Sequence, residues 1–335
     1  MKRLRVDSKP SAETLLFTVQ ARVLKHIIEG VKDLIPAVTI VCSQPPVKIE
    51  ASSSTPNYHP ITIVSLDVAS VCLVEVQLAI EPSGLKKYEF TSQKSQMMLG
   101  VCVMTLHRYI NSINDEDVLT VFYNLTDEPD ILRFTATSST NIGVTNDTSF
   151  KLMHIETDSV STAGSNFNID WSINVKCREI ARICKCFNNT GSETIEICIS
   201  SSSSLNTNLI DAKNILVTFT SSADSGMQSF IYDCTNQLLT VKNHNNEIEK
   251  EPIQQQQKDE EEAVETVLHK STYALKYFVF FTRSESKTDD FMTILLGNNI
   301  PIRMEYNLAN NGAGGVVTPS SKSIMRYYLA PKQLE

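Results

Sequence analysis

The sequence predicts an α+β fold, mainly β, in two similar halves that carry two short helices each. Three observations lead there. Short β-branched runs that alternate apolar and polar residues dominate the chain, the signature of half-buried strands. Four brief segments instead repeat their apolar residues at helical spacing, two in each half. The 335 residues also exceed a single domain of ~100–200 residues, so two domains are expected, each able to bury its own core.

Strands are expected at 61–80, 118–123, 131–137, 194–199, 215–220, 230–233, 292–296 and 301–308. The first helix is expected over 21–34, where Val23, Leu24, Ile27, Ile28, Val31 and Leu34 share a face and Pro36 ends the run. The second spans 103–113 through Val103, Leu106, Ile110 and Ile113. The third spans 176–187 through Ile180, Ile183, Cys184 and Phe187. The fourth spans 271–283 through Leu275, Phe278, Val279 and Thr282, with Ser271 as its N-cap. The expected organisation is an N-terminal extension (1–16), a first domain (17–150), a connector (151–166) and a second domain (167–335). Polar stretches at 43–60, 200–208 and 242–263 read as loops, the last acidic, glutamine-rich and solvated.

Composition narrows the function. With 30 basic against 38 acidic residues, the formal net charge is −8. This excludes a surface coated in nucleic acid, but not one that gathers its bases on one face. No stretch reaches the ~20 apolar residues of a membrane helix, and the first sixteen residues lack the apolar run of a secretory leader. A soluble, intracellular chain with no membrane partner is expected. The eight cysteines form no Cys-x-x-Cys pair and read as reduced, mostly buried thiols. The six histidines are scattered, and the sequence holds no phosphate loop, dinucleotide fingerprint, nucleophile elbow or metalloprotease motif. The acidic run 259–262 reads as solvated loop. The expectation is a non-enzyme with no cofactor and no metal.

The informative feature is the outer side of the four helices. Arg22, Lys25 and Lys32 share one side of the first, beside His26. Arg108 stands opposite the apolar stripe of the second, with His107 and Asn111. Arg178, Arg182 and Lys185 follow i, i+4, i+7 on the third, and Lys276 and Arg283 lie seven apart on the fourth. One such face is the ordinary wet side of an amphipathic helix. Four in an acidic chain point to a shared cationic surface suited to phosphates. Duplex DNA offers one charge per ~1.7 Å of axis, and such contacts carry no sequence information.

Fragments along the chain then carry a likeness. They include Val23-Leu-Lys-His-Ile-Ile-Glu-Gly-Val-Lys-Asp-Leu34, Ser65-Leu-Asp-Val-Ala-Ser-Val-Cys-Leu-Val74, Met98-Leu-Gly-Val101 and Asn114-Asp-Glu-Asp117. Further on come Lys151-Leu-Met153, Glu179-Ile-Ala-Arg-Ile-Cys184, Ala274-Leu-Lys-Tyr277, Phe280-Phe-Thr282 and Ile300-Pro-Ile-Arg-Met-Glu-Tyr306. Tyr327-Tyr-Leu-Ala-Pro-Lys332 closes the series and is the most specific. In order and spacing, from about residue 17 to 332, the chain resembles the proliferating cell nuclear antigen family, the eukaryotic sliding clamps.

The resemblance implies two similar domains of antiparallel sheets, three chains closing into a ring, and helices lining a hole threaded by double-stranded DNA. It carries the hole-lining bases onto Lys25, Lys32, Arg108, Arg182, Lys185, Lys276 and Arg283, beside the Arg178 that shares their face. A family lysine is His26 here and another is Asn111, which lowers the inner charge. The family's client pocket maps to Leu66, Val71, Leu73, Pro301, Tyr328, Leu329, Ala330 and Pro331. The connector matches only through Leu152, Met153 and Ile155; residues 160–165 lack the Gly-Ile-Pro that walls the pocket. Where relatives carry a ubiquitin-accepting lysine, this chain reads Cys198-Ile-Ser200. The stretches 43–60, 242–263 and 309–322 are insertions.

Implied partners are a DNA polymerase, other clients carrying short clamp-binding motifs, and a separate ATP-dependent clamp loader. The implied location is the nucleus, or a viral replication compartment. The subunit joint is expected to pair edge strands near 131–139 and 218–231 of neighbouring chains. Two alternatives stand beside a homotrimeric clamp: a subunit of a heterotrimeric checkpoint clamp, and a β-sheet adaptor with no DNA role.

Overall fold

The structure, a computed structural model, describes residues 12–46, 58–80, 85–140, 143–155, 167–201, 215–224, 226–234, 239–244, 266–283, 291–308 and 323–332. The first half runs β1 (Thr14–Gln20), α1 (Ala21–Val31), β2 (Ala37–Ser43), β3 (Ile61–Leu66), β4 (Cys72–Leu78), β5 (Leu85–Thr91), β6 (Gln96–Cys102), α2 (Val103–Asn111), β7 (Val118–Asn124), β8 (Ile131–Thr137) and β9 (Thr145–Lys151). The second half repeats this order. It runs β10 (Trp171–Lys176), α3 (Cys177–Asn189), β11 (Thr194–Ser201), β12 (Ile215–Ala223), β13 (Gly226–Asp233), β14 (Leu239–Asn243), β15 (Thr266–Ala274), α4 (Leu275–Arg283), β16 (Phe291–Leu296), β17 (Ile302–Asn307) and β18 (Ile324–Leu329). The duplication that no residue-level repeat revealed is therefore present in the order of elements.

The strands pair antiparallel into three sheets. A five-stranded sheet has the order β5-β1-β7-β8-β9, and a four-stranded sheet has the order β13-β12-β11-β15. Their counterparts in the repeat, β14-β10-β16-β17-β18 and β4-β3-β2-β6, are fused into a single nine-stranded sheet. The seam is β18 on β4, in register from Leu329↔Cys72 to Ile324↔Gln77. One sheet thus spans both halves of the chain.

Each helix follows a strand directly, with no linking loop. The caps of α1, α2 and α3 make no side-chain hydrogen bond. Loop carbonyls supply the acceptors instead: Asp117 for the N–H of Ala21, Pro36 for Val103 and Glu193 for Leu275. This corrects the expected cap. Ser271 lies in β15 opposite Ile197, and α4 starts four residues later. The predicted apolar stripes are otherwise in the core. Val23, Leu24, Ile27, Ile28, Val31, Leu106, Ile110, Ile180, Ile183 and Phe187 are all buried, and only Val279 of the stripe residues is half-buried.

Other boundaries shift as well. The run 61–80 divides into β3 and β4 around a turn at residues 67–71, where Ser70 takes a positive φ of 55°. Ser200 and Ser201 are buried in β11 rather than in a loop, and Lys151 ends β9 rather than opening the connector. The expected edge near 131–139 is β8, an inner strand bonded to both β7 and β9; the open edge is β9. In the second half β12 is internal and β13 is the edge, so only the later part of 218–231 is exposed for pairing. Residues 14–16 of the expected N-terminal extension already belong to β1, with Leu15 buried, while residues 1–11, most of the loop expected at 43–60, the later connector, the acidic stretch from 245 and the insertion 309–322 lie outside the described residues. No described helix is long and apolar enough to cross a membrane.

Candidate nucleic-acid interface and partner pocket

The helices pack in two pairs, α1 with α2 and α3 with α4, and α1 also touches α4 across the halves. They rest on the face of the nine-stranded sheet that carries Tyr306 and Tyr327. The Tyr306 hydroxyl donates to the Phe281 carbonyl at 3.1 Å and the Tyr327 hydroxyl to the Gly30 carbonyl at 3.2 Å. Gly30 is required there, because a Cβ would collide with the Tyr327 hydroxyl.

The predicted bases are all on these helices or their ends, but their surroundings differ. On α1, Lys25 Nζ lies 2.5 Å from Asp115 Oδ1 and donates to the Ile113 carbonyl at 2.6 Å. Lys32 Nζ lies 2.7 Å from Glu29 Oε2, while His107 Nε2 of α2 sits 2.7 Å from the other Glu29 oxygen and 2.9 Å from Asn111 Nδ2. Burial pushes the Glu29 carboxyl up, but the hydrogen bonds from Lys32 and His107 outweigh it and hold the group below its usual value. Both lysines are half-buried.

Arg108, Arg178, Arg182, Lys185, Lys276 and Arg283 are exposed. Arg182 Nη2 bonds Glu179 Oε2 at 3.0 Å and the Tyr232 hydroxyl at 3.2 Å, with its guanidinium 4.9 Å from the Phe230 ring centre. Lys276 Nζ lies 4.9 Å from the Tyr277 ring centre, and Arg283 pairs with Asp33 of the first half.

The opposite face of the nine-stranded sheet carries the second site. Cross-strand pairing sets Leu66 beside Leu73, Leu73 beside Tyr328 and Tyr328 beside Arg303. Leu66 and Val71 are exposed, Leu73 is half-buried and the Tyr328 ring lies near the surface of the core. Ala330 donates its N–H to the Val71 carbonyl at 3.2 Å, and Pro301 precedes β17 at the same end. The structure therefore brings Leu66, Val71, Leu73, Pro301, Tyr328, Ala330 and Pro331 together at one end of neighbouring strands.

Two predicted members stand apart. Leu329 is fully buried and points into the core, because adjacent strand residues alternate faces and Tyr328 takes the outer one. Ile155 lies over Gly100 of β6, several strands away, where Met153 makes an antiparallel bridge to Gly100 and its N–H bonds the Gly100 carbonyl at 2.9 Å.

Sequence reading missed the polar floor next to this pocket. Arg326 Nη1 lies 3.2 Å from the buried Glu75 carboxylate and its Nε lies 2.8 Å from Glu305, linking β4, β18 and β17. The Tyr328 hydroxyl donates to Glu75 at 3.0 Å. Burial, with Glu75 beside it, pushes the Tyr328 phenol up to about 12. Phe167 was missed as well; its ring centre stands 6.5 Å from that of Tyr328. The only signal for it was a lone aromatic at the end of a polar connector.

Comparison with known proteins agrees with this architecture. Residues 16–161 match the family model described as proliferating cell nuclear antigen, N-terminal domain. A protein named proliferating cell nuclear antigen from Chaetomium thermophilum is 25% identical over 316 residues, covering 93% of this chain and 95% of that one. Joined to the antiparallel sheets and four short helices described above, these matches support a chain similar to the proliferating cell nuclear antigen family, with the DNA-clamp fold.

Proposed function

We propose that this protein is a DNA sliding clamp, a homotrimeric ring that encircles duplex DNA and tethers a polymerase and other clients to it. One observation carries the reading. Within the chain, β18 of the second half joins β4 of the first. In the repeat, the counterpart of β18 is β9 and the counterpart of β4 is β13, and both are open sheet edges among the described strands. The joint made once inside the chain can be made again between chains, head to tail, covering the two edges that would otherwise invite aggregation. The exposed apolar side chains Met227 and Ile231 on β13 support this, at 75% and 66% exposure.

In such a ring the helix layer faces the hole and its bases meet phosphates without reading sequence. The pocket around Leu66, Leu73 and Tyr328 accepts the apolar plug of a short client motif. The mechanism is topological and needs no catalytic residue. Tethering makes polymerase rebinding intramolecular at a high effective concentration. Loading belongs to a separate ATP-dependent machine, and the working location is the nucleus or a viral replication compartment. The two clamp domains are residues 17–150 and 167–335, joined through 151–166.

The test is light scattering on a sizing column over a range of protein concentrations, without DNA. A species at three times 37.4 kDa is expected. A persistent 37.4 kDa monomer overturns the homotrimer and favours a subunit of a heterotrimeric checkpoint clamp.

A further inference from the structure

We infer that Arg303 is a specificity residue of the client pocket, and that the pocket prefers a client whose apolar plug is flanked by an Asp or Glu side chain. The inference rests on the client-binding part of the sliding-clamp reading and names the chemistry of the partner.

Arg303 lies on β17, directly opposite Tyr328 of β18 on one side and Leu295 of β16 on the other. Alternation along the strand turns it to the same outer face as Pro301, two residues earlier. The burial pattern agrees, with Ile302 and Met304 fully buried and Arg303 half-buried between them. Arg303 therefore stands at the β17 side of the pocket, beside the ring of Tyr328.

The neighbouring carboxylates are already engaged by other donors. Glu75 accepts the Tyr328 hydroxyl at 3.0 Å, Arg326 Nη1 at 3.2 Å and Gln77 Nε2 at 2.8 Å. Glu305 Oε1 accepts Arg326 Nε at 2.8 Å. Arg303 Nε comes within 3.1 Å of that same oxygen, but makes no hydrogen bond there and is closed off from solvent. The two arginines thus share one carboxylate electrostatically, and only Arg326 is bonded to it. A guanidinium carries five donors in a rigid fork and no acceptor, and a buried donor left unbonded is unfavourable. The Arg303 side chain is 19% exposed, which leaves part of the fork within reach of a bound peptide.

An apolar plug seated against Leu66, Leu73 and Tyr328 removes water from this corner and strips the hydration that the fork retains. A carboxylate beside the plug replaces that water with charge-assisted hydrogen bonds to the planar fork. A lysine at the same place meets like charge and is rejected.

The experiment uses the full-length protein and fluorescein-labelled peptides with an apolar plug, in which Glu or Gln is placed at each flanking position in turn. The peptides are C-terminally amidated, so that a side chain is their only source of a carboxylate near the plug. Binding is read by anisotropy. At one flanking position the Glu peptide is expected to bind about tenfold more tightly than its Gln counterpart, the size of a hydrogen bond to a charged group. Arg303→Gln is expected to weaken the Glu peptide and spare the Gln one, bringing the two within about twofold. Arg303→Lys, which keeps the charge but loses the fork, is expected to retain a preference of about threefold. Light scattering and a thermal melt establish that each variant keeps the parent's assembly and fold. Equal weakening of both peptides by Arg303→Gln, a preference that survives it, or no preferred Glu position in the unmodified protein overturns the inference while leaving the pocket intact. Failure of every peptide to bind the unmodified protein defeats the pocket reading itself.

Discussion

Asp67 ties the two halves together with one carboxylate. Its Oδ1 accepts the N–H groups of Val71 and Cys72 at 2.7 and 2.8 Å, closing the turn between β3 and β4. Its Oδ2 accepts the buried hydroxyl of Tyr277, from α4 of the other half, at 2.7 Å. Burial pushes the carboxyl up, but the donors, led by the Cys72 N–H and the Tyr277 hydroxyl, outweigh it and hold the group below its ordinary value. A depressed folded value means that the ionised group stabilises the fold above the ordinary carboxylate pKa of about 3.9, and that this is lost as pH falls through the lower folded value. Asp67→Ala is expected to cost about 2–3 kcal/mol at pH 7, by orphaning three donors. Urea titration should show that cost, and the gap to the parent should narrow once both are titrated well below pH 4. The sequence reading ran one strand through this turn, and it missed the tyrosine because that residue lies 210 positions away. The same limit hid Glu75 and Arg326, a pair that only the seam between β4 and β18 brings together.

At the scale of elements, burial explains part of what sequence could read, although the buried strands β2, β10 and β18 were passed over as well. Strands with a strong apolar side, such as β7, β8, β11 and β12, begin at the residues their alternation predicts. The helix stripes were legible because a buried face on a helix must repeat at its period. The edge strands β5, Leu-Lys-Lys-Tyr-Glu-Phe-Thr, and β9, Thr-Asn-Asp-Thr-Ser-Phe-Lys, were passed over because they are mostly polar and bury little. Their strand character comes from the neighbour they hydrogen-bond, which local composition does not record. The cationic residues were found by helical spacing, yet the pairing of Lys25 with Asp115 and of Arg283 with Asp33 depends on segments distant in the chain.

The start of the connector makes an element-scale prediction. A Cβ on Gly100 would collide with the Met153 carbonyl and come within 3.0 Å of Ile155. Gly100→Val therefore lifts residues 153–155 off β6. Client-peptide affinity is expected to change little, because this segment lies several strands from Leu66, Leu73 and Tyr328, with the assembly mass unchanged. Calorimetric titration with an apolar-plug peptide reads the first and light scattering the second.

At the scale of the whole molecule the repeat sets the behaviour of the assembly. Ile231 faces outward on β13, the edge proposed to receive β9 of the next chain. Ile231→Lys places a charge where the joint would bury it, and the expected product is a folded monomer of 37.4 kDa. A trimer that survives this change would place the joint elsewhere. Fold class and the buried faces of the helices were visible in one dimension. The pairing of halves was not, since it is a property of counterpart strands rather than of any segment.

The seam inside the chain is fastened by more than strand pairing: Arg326 bridges Glu75 and Glu305, Tyr277 grips Asp67, Tyr327 reaches Gly30 and Arg283 meets Asp33. Each chain therefore behaves as one stiff arc. In the proposed ring such arcs would be the three rigid links of a bracelet, and admitting a closed circle of DNA would mean unclasping a joint between links, never bending a link in its middle.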